Sequence, residues 1–356
     1  MELSRIKLIY IILFIFTNWT YAAEKLKEII SKQELSNIRF VSNDSSFTIY
    51  QKNSGDLFLS THYAVKKILS SEENTQFNLH REVNSPYILI TKKSNYNQNF
   101  NPNQEHELFF LAYGKDKIEK LGIGITPTSH LNGEFLSFYK PSVNKIILHK
   151  KTLPTNTFDI PTNKPTNPFF RPQAIMLDPE NIIFTEQNSS GIGQVIFYNL
   201  KTQTKKSIFQ NKNYQFRLEL CRIEKNLYVF ESNYLESAET HSTFINLNLN
   251  DSNKNKVIYE SNLIDIGNII CNFDKDSVLF IKNFGSKNKT NFDVAKIFLQ
   301  DGKIERLTEE GHITNIFNMD GRIIVTNNGQ QMLLFGENSL KKDSIPHSND
   351  EKSDSI

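Results

Sequence analysis

The chain has 356 residues, and 41 lysines and arginines against 39 aspartates and glutamates leave a net charge of only +2. So small an excess gives no overall field to gather nucleic acid or an acidic membrane, and neither is expected as a partner. With 38% hydrophobic and 22% charged residues, the composition suits a folded chain rather than a disordered one.

Residues 1–22 have the pattern of an export signal. Arg5 and Lys7 precede the apolar run LIYIILFIF (8–16), and Thr20-Tyr21-Ala22 closes the segment with small residues at the two positions a signal peptidase reads. The run is shorter than the roughly 20 apolar residues that span a bilayer. Cleavage near Ala22 is therefore expected, with a periplasmic or secreted mature protein and no stable membrane insertion. It would also remove Trp19, the only tryptophan.

From there the chain repeats itself. Short β-type runs begin at Phe47 (FTIYQ), Tyr87 (YILIT), Phe135 (FLSFY), Ile182 (IIFTE), Leu227 (LYVFE), Val278 (VLFIK) and Ile323 (IIVTN), at spacings of 40 to 51. A period in this range with four strands per unit is the signature of a β-propeller. The unit is clearest at 174–209. AIML, IIFTE, QVIFY and KKSIF read as strands A to D, separated by DPEN, the NSSGIG loop and KTQT. The expected fold is all-β, a propeller of seven four-stranded blades over residues 23–338. The segment KEIISKQE (27–34) resembles the outer strand KKILSSEE (66–73), while the last unit lacks a fourth strand before the polar tail, 339–356. Residues 25–32 are therefore expected to close the last blade, which would seal the ring and leave no long free edge. A short amphipathic helix is the other reading of that segment, and the tail is expected to be disordered.

The segments LDPENIIFTEQ…GQVIFYNLKTQTKKSIF and KIERLTEEG…MDGRIIVTNNGQQMLLF resemble the periplasmic TolB-like propeller repeat. Asp178, Asp274 and Asp320 stand where that family has the aspartate of a Ser-Pro-Asp-Gly turn. The resemblance covers most of residues 37–336 at the level of the repeat and implies a periplasmic binding propeller. No unit carries the full turn motif, and TolB's separate N-terminal domain has no counterpart.

The residues offer little catalytic chemistry. Without tryptophan in the mature chain, sialidase-type Asp-boxes and quinoprotein docking motifs are excluded. No H-E-x-x-H, G-x-S-x-G or CxxC occurs, and no metal or cofactor is expected. The SSGIG segment (189–193) precedes a strand rather than a helix, so it reads as a hairpin loop and not a phosphate cradle. The turn aspartates read as structural. Cys221 and Cys271 end inner strands of adjacent units. They are either a disulfide between blades, which an oxidising compartment permits, or two small buried apolar side chains.

In a propeller the A–B and C–D turns lie at one end of the sheets and the B–C and D–A connections at the other. Here the first set is tight. The long connections (93–105, 152–172, 233–241 and 283–291) share the second end and carry Tyr96, Phe100, Phe169, Phe170, Arg171, Tyr234 and Phe284. Aromatic and arginine side chains on long loops are the anchors of binding surfaces. The expected function is a non-catalytic binding or scaffold protein that contacts a protein or envelope component through this face. The alternative is a propeller enzyme of hydrolase or lactonase type with its site in the axial channel, for which His80, Glu82, Glu219 and Asp265 are the nearest candidates.

Overall fold

The computed structural model describes residues 38–335 except 43–45, 53, 62, 73–74, 83–84, 95–102, 152–155, 168–169, 211–216, 234–239, 272–273, 287–288, 320–321 and 328–329. The expected export segment (1–22), the segment expected to close the last blade (25–32) and the polar tail (339–356) lie outside the described residues. No described helix is long and apolar enough to cross a membrane.

Among the described residues every regular element except three one-turn 3-10 segments is a strand. The first sheet holds β1 (Ile38–Val41), β2 (Phe47–Gln51), β3 (Leu57–Thr61) and β4 (Val65–Leu69). The second runs through β5 (Gln76–His80), β6 (Tyr87–Lys93) and β7 (His106–Ala112) into β8 (Ile118–His130). The third continues from β8 through β9 (Phe135–Lys140) and β10 (Lys145–Lys150) to β11 (Thr157–Pro161). The fourth is β12 (Ala174–Asp178), β13 (Asn181–Gln187), β14 (Gly193–Asn199) and β15 (Thr204–Gln210). The fifth is β16 (Arg217–Ile223), β17 (Asn226–Asn233), β18 (His241–Leu247) and β19 (Lys256–Ser261). The sixth is β20 (Gly267–Ile270), β21 (Ser277–Asn283), β22 (Phe292–Phe298) and β23 (Ile304–Arg306). The last holds β24 (Ile313–Met319), β25 (Arg322–Asn327) and β26 (Gln330–Phe335). All pair antiparallel with their neighbours in chain order.

The second and third sheets share one strand. Residues 118–124 of β8 pair with β7, and 125–130 pair with β9. The outer strand of one unit thus becomes the inner strand of the next without a loop, through a bulge at which Thr126 adopts φ +50°.

The burial pattern explains why each unit needs its neighbours. Second strands such as β13 are buried at almost every position, so both faces of the sheet are covered. Fourth strands are exposed and lysine-bearing, VKKIL in β4 and TKKSIFQ in β15, which keeps these edges from pairing with other chains. The apolar clusters lie between consecutive sheets. Phe40, Phe77 and Ile88 join the first to the second, Tyr139 and Phe184 the third to the fourth, Val195 and Leu220 the fourth to the fifth, Phe230 and Phe280 the fifth to the sixth, and Leu279 and Ile316 the sixth to the last. Ile324 of β25 packs against the cluster of the first two sheets, so the last sheet meets the first.

The fifth and sixth sheets are also tied covalently. Cys221 and Cys271 form a disulfide, their Cα atoms 5.8 Å apart.

Candidate functional site

The inner strands face a common cavity of about 1090 Å³, lined from the second sheet to the last by residues that include His80, Glu82, His130, Arg171, Arg217 and Glu219. Two of the four acidic and basic candidates are consumed in joining strands. Glu219 of β16 accepts from the Asn268 and Ile269 N–H groups of the next inner strand at 3.0 and 2.9 Å, and from Arg217 Nη1 at 3.1 Å. Arg217 also donates to the Ile266 carbonyl at 2.6 Å and to Asn268, whose amide reaches Asn315 of β24 at 3.0 Å. The wall of the cavity is thus stitched across three sheets. Asp265 is fully buried, where it accepts from Tyr259 Oη at 2.7 Å and the Asn283 N–H at 2.8 Å. It does not line the cavity, and its place in the axial reading is corrected to that of a joint behind β20.

Gly267 makes the Glu219 contact possible. It has φ +76°, and a Cβ there would stand 2.6 Å from the Phe230 ring and 2.9 Å from Glu219 Oε1. Left-handed backbone and lack of space act together, so Gly267→Ala is expected to lower stability by about 2–4 kcal/mol. A denaturant titration would measure this.

His80 and Glu82 stand at the end of β5. Burial lowers the His80 pKa, and a hydrogen bond to the Pro127 carbonyl partly opposes that. Burial pushes the Glu82 carboxyl up from 4.5 to about 7. Nearby, Ser85 and Ser129 share a hydrogen bond of 2.8 Å. His130 Nε2 meets Ser137 Oγ at 2.7 Å, and burial takes the His130 pKa down to about 3.

These shifts have opposite signs in stability. Glu82 binds its proton more tightly when folded, so its contribution is full below pH 4.5 and is lost as pH rises through about 7. His130 is held neutral, so its contribution is present above pH 6.5 and is lost as pH falls toward 3. Glu82→Gln is therefore expected to stabilise the protein at pH 8 by about 1–3 kcal/mol and leave it more acid-sensitive relative to its maximum. Thermal melts across pH 4 to 8 would show a flattened alkaline limb.

Among the described residues no cluster of three His, Cys, Asp or Glu side chains could hold a metal ion. The turn aspartates that are described cap their own turns. Asp178 accepts from the Glu180 and Asn181 N–H groups at 2.9 and 3.0 Å, and Asp274 accepts from Ser277 Oγ and Lys296 Nζ. Asp320 lies outside the described residues.

Of the residues expected to anchor a partner, Tyr96, Phe100, Phe169 and Tyr234 lie outside the described residues. Arg171 stands at the cavity rim and donates from Nη1 to Asn103 Oδ1 at 3.3 Å, joining the 161–174 connection to the 93–106 connection. Phe170 is only 2% exposed and packs between the fourth and fifth sheets with Ile183, Val195 and Leu218. It holds the connection down from beneath. Phe284 is half-buried against the cluster of the fifth and sixth sheets, with the Arg306 guanidinium 4.8 Å above its ring.

A second set of residues organises the loop end, and sequence reasoning missed it. Several second strands finish on Gln or Asn. Gln51 accepts from Arg39 and donates to the Gly55 and Thr75 carbonyls. Gln187 accepts from the Thr166 and Asn167 N–H groups, both at 3.0 Å, and donates to the Gly191 carbonyl. Asn283 Oδ1 accepts from the Gly285 and Asn291 N–H groups. Glu186 adds two bonds from Asn163 and one of 2.7 Å from Lys205. The repeated terminal amide (FTIYQ, IIFTEQ, VLFIKN, IIVTN) was the signal available in the sequence.

No family model matches the chain, and no curated protein matches it. Solved structures match at the level of fold. The chain resembles the tricorn protease (TM-score 0.50, 10% identity), covering 85% of this chain and 34% of that one. It resembles oligogalacturonate lyase from Vibrio parahaemolyticus (TM-score 0.53, 8% identity), covering 83% of this chain and 88% of that one. TolB from Acinetobacter baumannii is a more distant match (TM-score 0.45, 11% identity), covering 76% of this chain and 64% of that one. The chain thus spans about a third of the tricorn protease chain. The tricorn protease and the lyase are propeller-type folds, and the likeness to them places this chain among such folds in architecture alone.

Proposed function

We propose that the protein is an exported, non-catalytic propeller of seven units, closed by residues 25–32 and acting as a binding or scaffold protein in the periplasm or cell envelope. The observation that carries this reading is the anchoring of residues 162–167 and 170 at the loop end. The 161–174 connection is fixed by Glu186 and Gln187, by two bonds from Thr162 to the Asn144 carbonyl, and by buried Phe170. A connection held this firmly presents Lys164 and Arg171 in fixed places, and pre-organisation of that kind favours binding. The Cys221–Cys271 disulfide suits an oxidising compartment.

Photo-crosslinking side chains at Ser142 and Lys164 should give envelope adducts in cells, and the same group at Glu180 and Asp301, in the tight turns, should not. Adducts from the tight turns alone would overturn the assignment of the face.

One observation favours a second reading, an enzyme of hydrolase or lactonase type. Glu82, with a pKa near 7, borders a roomy polar cavity and could exchange a proton at neutral pH. Turnover of an ester or lactone substrate by the purified protein, abolished by Glu82→Gln, would establish it.

A further inference from the structure

The near-neutral net charge conceals a strong local imbalance. At the loop end, the connections after the second strands of the second and third sheets and before the fourth sheet span 93–106, 140–145 and 161–174. Together they carry Lys93, Lys140, Lys145, Lys164 and Arg171 against a single carboxylate, Glu105. The undescribed residues within them, 95–102 and 168–169, contain no charged side chain, so their placement does not alter the balance.

These segments are one surface. Arg171 reaches Asn103, the Ser142 N–H donates to Glu105 Oε1 at 2.7 Å, and Thr162 bonds to the Asn144 carbonyl. Lys145 is neutralised by Asp159 at 2.9 Å. Lys93, Lys140 and Lys164 have no ion-pair partner among the described residues. Burial and then the nearby Arg171 lower the Lys93 pKa, and burial and then Lys93 lower that of His106, as expected of cations crowded together. Elsewhere at the same end the charge is mixed, with Glu72 before the second sheet and Glu309 and Glu310 before the last, but Lys289 after the second strand of the sixth.

We infer that this basic arc over the second, third and fourth sheets docks an acidic peptide segment of a partner protein. The inference rests on the proposed binding face and names what that face takes. Separate lysine point charges, an arginine fork beside the Asn103 amide, and Val143, 48% exposed between them, suit a chain that alternates carboxylates with backbone amides and small apolar contacts. A flat anionic membrane fits poorly, because Glu72, Glu309 and Glu310 share this end and would be repelled.

The test is equilibrium binding of a fluorescent oligoglutamate peptide to the full mature protein. Affinity should fall steeply as ionic strength rises from about 0.01 to about 0.15 M, where the Debye length shrinks from about 30 to about 8 Å. Lys140→Glu with Lys164→Glu should weaken binding at least ~10-fold. Lys201→Glu with Lys225→Glu, the same charge change in the tight turns, should leave it within about twofold, because those sites lie more than a Debye length from the arc at physiological salt. Circular dichroism verifies that both variants fold. Absence of binding, equal losses in the two variants, or tighter binding of a polyuronate or of anionic vesicles would overturn the inference. If oligoglutamate fails while crosslinks from Ser142 and Lys164 persist, the acidic-peptide assignment falls and the binding face stands.

Discussion

Replacing Glu219 with alanine is expected to cost about 2–4 kcal/mol, because a buried carboxylate that accepts from two main-chain N–H groups is lost while Arg217, its side chain a third exposed, keeps access to water. Two main-chain N–H groups of the sixth sheet, Asn268 and Ile269, would lose their acceptor, and Arg217 would lose its carboxylate. Glu219→Gln should recover only part of the loss, because the two N–H groups bond to separate carboxylate oxygens and a single amide oxygen keeps one of them, while the NH2 faces the other and the pairing with the guanidinium is gone. Denaturant midpoints of the three proteins would check the order wild type, Gln, Ala.

Opening the Cys221–Cys271 bond is expected to cost about 4 kcal/mol by loop entropy, given a sequence separation of 50. A Cys221→Ser, Cys271→Ser variant, or the wild type under reductant, should melt earlier by a margin readily seen in calorimetry. The disulfide and Glu219 tie the same two inner strands, β16 and β20. Their losses should therefore not be additive, and a double-mutant cycle should give a coupling of about 0.5–3 kcal/mol.

Much of the architecture was legible before any coordinates. The 174–209 unit was read as four strands, and β12 to β15 start and stop within two residues of that reading, because alternating apolar runs and DPEN- or KTQT-type turns leave few options. The junction inside β8 was not legible. LGIGITPTSH contains no turn signature where one sheet hands over to the next, and the change is made by a bulge and a left-handed Thr126.

The site was legible in part. The sequence marked Phe169-Phe170-Arg171 as a loop with anchors, but it could not tell that Phe170 turns inward, since its burial depends on Val195 and Leu218 from two other elements. Glu219 and Asp265 read as free carboxylates because their partners lie in other strands or are main-chain groups. The basic arc needed topology as well. Lys93, Lys140 and Lys164 are scattered in sequence and cancel against distant acids in the net charge, and only the alternation of strand direction puts them at one end.

The measurement that most directly tests where this protein acts is partner retention by the immobilised mature protein, compared between loop-end and cavity variants. Lys140→Glu with Lys164→Glu should abolish retention of envelope proteins, while His80→Ala with Glu82→Gln should leave it intact. Retention lost in the cavity variant and kept in the loop-end variant would move the function to the axial cavity and contradict the account.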